Sequence, residues 1–537
     1  MATHDVFNQP PPLQDYDPLA RDHALLEALR REGAAFAEDD VGELGRRAAS
    51  REALAWGAQA NENPPRLRTH DRYGHRIDEI DFHPAWHELM LLSVSHGIHS
   101  SPWREPREGA HVARAAKMAL VSQTEFGHGC PISMTYSAFP ALQRQPDLLE
   151  EWAPHIVSLK YDPRPLPVGE KLGALIGMGM TEKQGGSDVR ANTSRAAPAG
   201  GAWALTGHKW FCSAPMSDAF LVLAQAPRGL SCFLLPRWTP DGQRNRFFIQ
   251  RLKDKLGNRS NASSEVEFDA AWARLVGEEG RGVQTILEMV NHTRLDCVIG
   301  SSGMMRAALA QAAHHCAHRS AFGKRLVEQP LMRSVLADLA LESEAATVLM
   351  MRLARAYDRR NEEAPFRRIA TAVAKYWVCK RAVPHVAEAL ECLGGNGYVE
   401  ESGMPRIYRE APLNSIWEGS GNVICLDVLR ALHKEPLARD ALVAELRLSR
   451  GADHRLDAAL DEVEAALVKP EEAAARRLVE RLAVVLQGSL LVRHSPRAVA
   501  DAFCATRVAG DRGYAFGTLP AAADASAIIS RAWPADA

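Results

Sequence analysis

The feature that most constrains the fold is a change of residue pattern along the chain, from helical to strand-like and back to helical. To about residue 175, apolar residues recur at helical spacing between polar and proline-rich connectors. After Gly177, short apolar runs separated by Gly, Pro, Asn and Asp predict strands. The runs are 202–205, 219–226, 230–235, 246–250 and 265–268. Helical spacing returns after Gly282, over 283–319, 331–358, 366–393 and 422–432.

Helices and strands therefore occupy separate blocks and do not alternate, which disfavours a doubly wound nucleotide fold and predicts an α+β multidomain protein. We expect four segments: an α-helical domain (1–176), a central β domain (177–281), a four-helix domain (282–433) and a helical extension (434–537). Residues 8–13 are too rich in proline to start a helix, so an extended arm lying on a neighbouring element is predicted there.

Composition narrows the class of protein. The 537 residues are 46% hydrophobic and carry 64 Lys and Arg against 66 Asp and Glu, which excludes a disordered or collagen-like chain. No apolar run approaches the roughly 18–20 residues of a membrane span, and residues 1–13 lack a signal-peptide pattern. We expect a cytoplasmic protein without membrane contact. Its nine scattered cysteines are predicted to be buried and reduced.

The common motifs for nicotinamide, ATP and zinc are absent from the sequence. His314, His315 and His318 lie close together but have no acidic or cysteine partner nearby, so a polar helix end is predicted there and no metal site.

A glycine-rich segment at 177–188 has a different character. Its glycines, hydroxyls and free N–H groups suit a diphosphate and the carbonyl groups of a flat ring, although a simple β turn would also explain them. The following segment, 207–213, places two large aromatic residues and a hydroxyl on a predicted strand beside that loop. This is the arrangement expected for stacking against an isoalloxazine ring.

Seven motifs in this order and spacing resemble those of the acyl-CoA dehydrogenases, over about residues 80–432. They are Met180-Thr181-Glu182 with Gly186-Ser187-Asp188, Lys209 to Ser213, Lys255-Leu256-Gly257 with Arg259-Ser260, Gly277 with Gly280-Arg281-Gly282, Arg319 with Phe322-Gly323, Gly394 to Tyr398, and Trp417 to Ser420. Residues 7–13, 125–135 and 181–190, with the extension after 432, resemble the AidB type. That type comprises flavoproteins associated with the bacterial response to DNA alkylation.

The resemblance implies an acyl-CoA dehydrogenase fold, with a helical first domain, a barrel-like β domain and a four-helix bundle, here followed by an extra helical domain. It also implies bound FAD. The predicted cofactor-binding residues are Met178, Met180, Thr181, Gly186, Ser187, Phe211, Cys212, Ser213, Arg319, Phe322, Gly394, Gly395, Trp417, Gly419, Ser420 and Asn422.

Members of this family remove an α-proton from an acyl thioester while a β-hydride passes to the flavin. Because an α C–H is a very weak acid, this chemistry needs a polarised carbonyl and a well-placed carboxylate. The resemblance implies that Glu418 is this base, acting on a short or branched acyl-CoA, whereas its position alone would also fit a solvated residue near a helix start. Other members carry the base where this chain has Thr293. Arg294 is predicted to lie buried beside Glu418 and to help keep it ionised.

The resemblance further implies that Arg319 and Phe322 reach the FAD of a neighbouring subunit. The smallest assembly would then be a homodimer, and the usual assembly of the family is a homotetramer. The sequence departs from the usual family motifs at two positions, where Gln is usual and this chain has Pro330, after Gln329, and Glu391, before Gly394. These departures predict altered contacts between subunits. The electron acceptor is left open.

The extension is also a candidate surface for double-stranded DNA. Residues 476–537 hold eight arginines and five acidic residues, a net charge of +3. Arg477 with Arg481, and Arg493 with Arg497, would form ridges if both pairs lay on continuous helices. Two hypotheses remain: an acyl-CoA oxidoreductase, or a flavin-containing DNA-binding protective protein whose ancestral site is weak.

Overall fold

The computed structural model describes residues 3–533, and the chain divides into two compact units. One unit contains Met1–Arg51, Arg107–Thr124 and Arg294–Ala537, and the other contains Glu52–Pro106 and Glu125–Thr293. The first is called the helical unit here and the second the barrel unit.

The helices follow one another along the chain. They are α1 (His23–Leu29), α2 (Glu38–Ala48), α3 (Arg51–Glu62), α4 (Pro84–Ser95), α5 (Ser101–Arg104), α6 (Ala110–Val121), α7 (Gly129–Leu142), α8 (Pro146–Ile156), α9 (Gly282–His318), α10 (Pro330–Asp358), α11 (Ala364–Glu391), α12 (Met404–Glu410), α13 (Gly421–Lys434), α14 (Pro436–Arg447), α15 (His454–Val468), α16 (Ala475–His494), α17 (Arg497–Phe503) and α18 (Ala525–Ala532).

The strands are concentrated in the barrel unit. They are β1 (Arg66–His70), β2 (Arg76–Asp81), β3 (Ile176–Gly179), β4 (Arg195–Ala199), β5 (Ala202–Ser213), β6 (Ala219–Ala226), β7 (Gly229–Pro236), β8 (Phe247–Leu252) and β9 (Ser263–Val276); the short β10 (Ser320–Ala321) and β11 (Lys324–Arg325) belong to the helical unit. The main sheet has the order β3-β6-β4-β5-β9-β7, with β8 on β9, and the pairing of β6 with β7 closes it into a barrel.

The barrel interior is filled by apolar side chains. Phe220 and Phe233 are wholly buried there, and the Phe220 ring stacks on the Phe247 ring at 5.0 Å between centroids. The predicted strand runs are confirmed in β5 to β9, and the four predicted long helices in α9, α10, α11 and α13.

The prediction of a wholly helical first segment is wrong in one place, because β1 and β2 form an antiparallel hairpin there. Its residues are mostly charged, and Arg68 pairs with Glu79 and Asp81 across the two strands. With so few apolar residues, the hairpin has no hydrophobic alternation by which it could be recognised. The four-segment division of the chain stays a prediction.

The proline-rich arm is extended and lies on the end of α9, as predicted. The Asn8 side chain exchanges two hydrogen bonds with the backbone of Ser320, at 2.8 and 2.7 Å. His314 Nε2 donates to the carbonyl oxygen of Pro11 at 2.8 Å, so one member of the histidine group holds the arm.

The helices that follow α13 are joined to α10 and α11 by buried ion pairs. Arg507 pairs with Asp338 and Glu342 of α10, and Glu342 also pairs with Arg381 of α11. All nine cysteines of the chain are buried and free. Within residues 3–533, no helix is long and apolar enough to cross a membrane.

Candidate active site

The backbone around Glu418 has an unusual conformation. Glu418 lies in the loop between α12 and α13 with φ +59°, a left-handed value that is uncommon for a residue with a side chain, and Gly419 follows with φ +105°. The Glu418 side chain is half-buried, and helix α13 begins at Gly421, directly after Ser420. Such conformations persist where the surroundings hold them, and they concentrate at functional sites.

Two buried cations hold this loop by successive carbonyl groups. Arg294 Nε of α9 donates to the carbonyl oxygen of Glu418 at 3.0 Å, and Lys375 Nζ of α11 donates to that of Gly419 at 2.5 Å. Both side chains are almost wholly buried. The positions of these two carbonyls orient the intervening peptide and therefore the Glu418 side chain.

The charge of Arg294 is balanced by a carboxylate. Asp427 of α13 accepts a hydrogen bond from Arg294 at 2.7 Å and another from Arg368 at 2.9 Å. Burial raises the pKa of the Asp427 carboxyl, but the two guanidinium groups outweigh it and hold that pKa below its ordinary value. Arg294 is thus buried as predicted, with its guanidinium on the Glu418 backbone and on Asp427.

A polar chain supports the residue that precedes Glu418. Trp417 Nε1 donates to Asn414 Oδ1 at 2.8 Å, and Asn414 Nδ2 donates to Ser301 Oγ at 3.1 Å. Burial raises the pKa of the Cys297 thiol well above its usual value, and the nearby Glu418 carboxylate raises it further.

In the barrel unit, the predicted flavin loop is fastened to strand β5. Trp210 N donates to the carbonyl oxygen of Thr181 at 2.8 Å, which confirms that the loop and this strand are neighbours. Asn192 Nδ2 donates to the carbonyl oxygen of Met180 at 2.9 Å. A Cβ placed on Gly186 would lie 2.3 Å from Thr181 Oγ1, so only glycine fits that close approach.

A buried ion pair lies beneath the same loop. Lys209 Nζ contacts Glu182 Oε1 at 2.8 Å, and both side chains are inaccessible to solvent. Glu182 also accepts from the backbone N–H groups of Thr193 and Ser194. Burial opposes its ionisation, but Lys209 and these donors keep the pKa of the Glu182 carboxyl far below its ordinary value.

The strand residues predicted to face the flavin differ in exposure. Phe211 is half-exposed and Ser213 half-buried, and the Lys253 ammonium lies 4.7 Å from the Phe211 ring centroid. Cys212 points the other way: its side chain is packed in the barrel core. The Cys212 side chain therefore faces away from the side that Phe211 and Ser213 share, because alternate residues of a strand face opposite sides, and the contact of Cys212 with the flavin stays a prediction.

The residues predicted to reach a neighbouring subunit lie on the surface of the helical unit. The Phe322 side chain is fully exposed, at 101% of its reference area, with φ +50°. Gln329 Nε2 donates to the carbonyl oxygen of Ala321 at 3.0 Å, so the residue before Pro330 shapes this loop. Arg319 donates to the carbonyl oxygen of Asn8 in the arm. Gly394 and Gly395 have open space where a Cβ would stand.

The predicted FAD residues offer the donor set that the cofactor needs. The barrel unit contributes a glycine-lined loop, an exposed aromatic ring and hydroxyl groups. The helical unit contributes Ser420 and Asn422, both exposed at the first turn of α13. Loop N–H groups and a helix start suit phosphate, and an aromatic face suits a planar ring. Taken by itself, the barrel-unit set fits the flavin ring and a phosphate of FAD, and the helical-unit set fits a polar part of the cofactor.

Several supporting residues were not predicted from the sequence: Lys375, Asp427 and the partnership of Glu182 with Lys209. A lone lysine in the apolar run 369–379 of α11, and a lone aspartate in the apolar part of α13, were the available signals. A charged residue amid apolar ones in a helix indicates a buried partner.

The arginines predicted to bind DNA fall into two pairs. Arg481 donates to Glu462 and to the carbonyl oxygen of Val508, and Arg493 pairs with Glu445. Arg477 and Arg497 are exposed, and neither has an ion pair within residues 3–533. The predicted ridge of Arg493 with Arg497 is wrong, because α16 ends at His494 and α17 starts only after Pro496.

Comparison with known proteins identifies the class to which this fold and this loop belong. The models for the acyl-CoA dehydrogenase middle and C-terminal domains match residues 177–271 and 280–433, and the model for the adaptive response protein AidB N-terminal domain matches 8–163. The chain therefore belongs to the acyl-CoA dehydrogenase family, in its AidB type, and is an FAD-dependent oxidoreductase of that family.

Two relatives match this chain over most of its length. The chain is 49% identical to AidB of Escherichia coli K12 over 507 residues, 94% of each protein. It is 30% identical to acyl-CoA dehydrogenase family member 11 of Caenorhabditis elegans over 498 residues, 85% of this chain and 80% of that protein. The crystal structure of Caenorhabditis elegans ACDH-11 in complex with C11-CoA superposes with a TM-score of 0.84 at 29% identity, covering 94% of this chain and 93% of that one.

Proposed function

We propose that the protein catalyses α,β-dehydrogenation of an acyl-CoA thioester, with Glu418 as the base that removes the α-proton. The observation that carries this proposal is the clamp on its loop: Glu418 has a left-handed backbone, and two buried cations bind its carbonyl and the next. A solvated glutamate at a helix start would need no such support. A base that must meet a C–H bond within a narrow range of distance and angle does need it.

The acyl α C–H is so weakly acidic that the carboxylate must be ionised, desolvated and correctly aimed. Arg294 and Lys375 aim it through the backbone, and Asp427 offsets the positive charge of Arg294. The N–H of Glu418 is a donor that can polarise the thioester carbonyl. FAD, when bound, supplies the acceptor for the β-hydride.

The test is an anaerobic titration of the purified FAD-loaded protein with butyryl-CoA, isovaleryl-CoA and C11-CoA, followed by the visible flavin absorbance. C11-CoA is included because a relative's structure contains it. We expect one of these thioesters to bleach the flavin, and Glu418→Gln to slow bleaching by about 10²–10⁴-fold. Glu401→Gln, an exposed carboxylate in the same unit, is the matched control. Unchanged bleaching by Glu418→Gln would exclude Glu418 as the base.

We also propose a homotetramer in which Arg319 and Phe322 contribute to the FAD site of a neighbouring subunit. The Phe322 side chain, which is wholly exposed in the single chain, supports an interface at this loop. A neighbouring subunit that covered this ring would remove its apolar surface from water.

Double-stranded DNA binding, linked to an alkylation response, is the second candidate function. Its support is now confined to Arg477 and Arg497, the two candidate arginines that are exposed without an ion pair in the described part of the chain. We expect Arg477→Ala with Arg497→Ala to weaken DNA binding and reduce its salt dependence by about two charges per chain. Arg439→Ala with Arg447→Ala removes two already paired arginines and is the control. Salt-independent or absent binding by the unmutated protein would remove this candidate.

A further inference from the structure

The barrel unit contains a cavity that none of the predicted flavin residues lines. Its volume is about 510 Å³, and it opens between α8, the loop at 167–170, the turn at 238–242 and strand β9. This is within the range of cavities that hold small organic molecules. Three tryptophans line it: Trp152, Trp238 and Trp272.

The aromatic wall is built before any ligand binds. The Asn245 side chain donates to the carbonyl oxygens of Pro236 and Trp272, at 2.7 and 2.8 Å, and accepts from Trp272 N at 2.9 Å. The 238–244 turn is closed by Thr239 N donating to the carbonyl oxygen of Gln243 at 2.9 Å. These bonds hold the turn that carries Trp238 against the strand that carries Trp272.

Trp238 already contacts a cation on one side. The Arg244 guanidinium lies 4.9 Å from the centroid of its ring. Trp152 lines the cavity and is only 3% exposed. An indole N–H on the wall of a cavity can donate to an oxygen of a bound molecule.

The lining is also acidic. Four carboxylates face one guanidinium: Glu151, Glu170, Asp218 and Asp241 against Arg274. Arg274 pairs with Glu151 at 3.0 Å, and Lys171 pairs with Asp218 at 2.6 Å. Within the described residues this leaves Glu170 and Asp241 without an ion pair, one on each loop of the cavity. The Thr239 hydroxyl holds the pKa of Asp241 below its ordinary value, so this carboxylate is charged at neutral pH.

Tryptophan faces attract cations, most strongly when the cation is poorly hydrated. A methylated ammonium combines full positive charge with an apolar methyl surface, so it suits indole walls and loses little hydration there. A primary ammonium or a metal ion is strongly hydrated and would gain less from the same walls. Unpaired carboxylates at the mouth favour the charge, and a hydroxyl or carbonyl on the ligand would accept the Trp152 N–H.

We propose that this cavity is a binding site for a small organic cation with a methylated ammonium head and an oxygen acceptor, separate from acyl-CoA dehydrogenation. The head group lies against Trp238 and Trp272, and Glu170 and Asp241 balance its charge.

The test is titration calorimetry of the full-length FAD-loaded protein with choline. Its matched ligand is 3,3-dimethylbutan-1-ol, which has the same shape and no charge. We expect choline to bind more tightly than the neutral alcohol by about 10-fold, with an advantage that shrinks as salt rises. Asp241→Asn, an exposed change that leaves the core intact, should weaken choline binding about threefold, and Glu267→Gln, an exposed carboxylate of β9 outside the cavity, should not.

The aromatic contribution is tested by Trp272→Leu and Trp272→Phe. We expect choline affinity to fall about 3- to 30-fold with leucine and to recover in part with phenylalanine, which retains an aromatic face. Circular dichroism and flavin content establish that each variant is folded. Equal affinity for choline and the neutral alcohol would overturn the proposal, as would no heat of binding at millimolar choline, or unchanged choline affinity in the folded leucine and asparagine variants.

Discussion

At the scale of single residues, the largest unfavourable free energy near the site comes from the burial of two cations, Lys375 and Arg294. Burial of a cation destabilises a protein unless the cation is hydrogen-bonded and paired. Each of these two side chains donates a hydrogen bond to a backbone carbonyl of the same short loop. The loop in turn holds Glu418 at φ +59°, a conformation that alone would cost about 1 kcal/mol or more. The two cations therefore act as positioning residues for Glu418.

We predict that Lys375→Met lowers kcat for acyl-CoA oxidation by about 10²-fold, because a misplaced base meets the α-proton less often. KM should change by only about twofold, since Lys375 contacts the loop backbone. Lys375→Arg, which can still reach the Gly419 carbonyl, should restore part of kcat. Steady-state kinetics with melting curves check this. A variant that melts lower but keeps the wild-type kcat would assign Lys375 a structural role alone.

At the scale of elements, the loop at 125–128 is fastened by one buried carboxylate. Glu125 accepts from Gly127 N and Ser260 Oγ on one oxygen, at 2.9 and 2.6 Å, and from the backbone and ring of His128 on the other. A Cβ on Gly127 would lie 2.0 Å from Ser260 Oγ. The motif that distinguishes this chain from simpler family members thus joins the start of α7 to the 258–261 turn.

This network predicts a pH dependence of stability. Burial raises the pKa of the Glu125 carboxyl, but the bonds from His128 and Ser260 lower it to about 2. Because the folded-state pKa is depressed, the ionised group stabilises the fold at pH values above its ordinary pKa near 4.5. That contribution, about 3 kcal/mol, is lost as pH falls from 4.5 towards 2.

Urea unfolding of wild-type and Glu125→Gln protein between pH 7 and pH 3 measures this effect. We expect the variant to be less stable at pH 7 and the difference between the two proteins to shrink as the pH falls. Glu150→Gln, an exposed carboxylate of the same unit, should show no such trend. A constant difference at every pH would contradict the assignment.

The sequence predicts elements best where one periodicity extends over many residues. Helices α9, α10 and α11 and strands β6 to β8 were expected close to their observed bounds, because their buried faces impose a regular apolar pattern. Of β9 only 265–268 was expected, and the strand extends over 263–276. The β1–β2 hairpin was missed because charged pairs replace that pattern. A motif covers only residues that are close together in the sequence. It therefore points to Glu418 but not to Lys375, whose partner carbonyl is 44 residues away in the chain.

At the scale of the whole molecule, the segment after α13 belongs to the helical unit and is not a loosely attached domain. Buried ion pairs join Arg507 to α10 and connect Glu445 of α14 with Arg352 and Arg493. Arg493 and Arg507 belong to the arginine-rich segment that suggested DNA binding, and both form ion pairs inside the helical unit. Net charge over a segment cannot distinguish an arginine paired inside the protein from one that faces solvent.

For the assembly, we predict a mass in solution of four 58.9 kDa chains, measured by light scattering during gel filtration. Phe322→Asp should lower both the mass and the FAD retained per chain, because the ring is expected to contribute to a neighbour's cofactor site. A monomer that retains a full complement of FAD would contradict this arrangement.

The central claim is that Glu418, held by Arg294 and Lys375, removes the acyl α-proton. The most direct measurement is exchange of that proton with D2O, followed by mass spectrometry of the acyl-CoA that bleaches the flavin. The account predicts that the wild-type protein exchanges one α-proton and that Glu418→Gln, with its FAD bound, exchanges it about 10²–10⁴-fold more slowly. Equal exchange by the two proteins would contradict it.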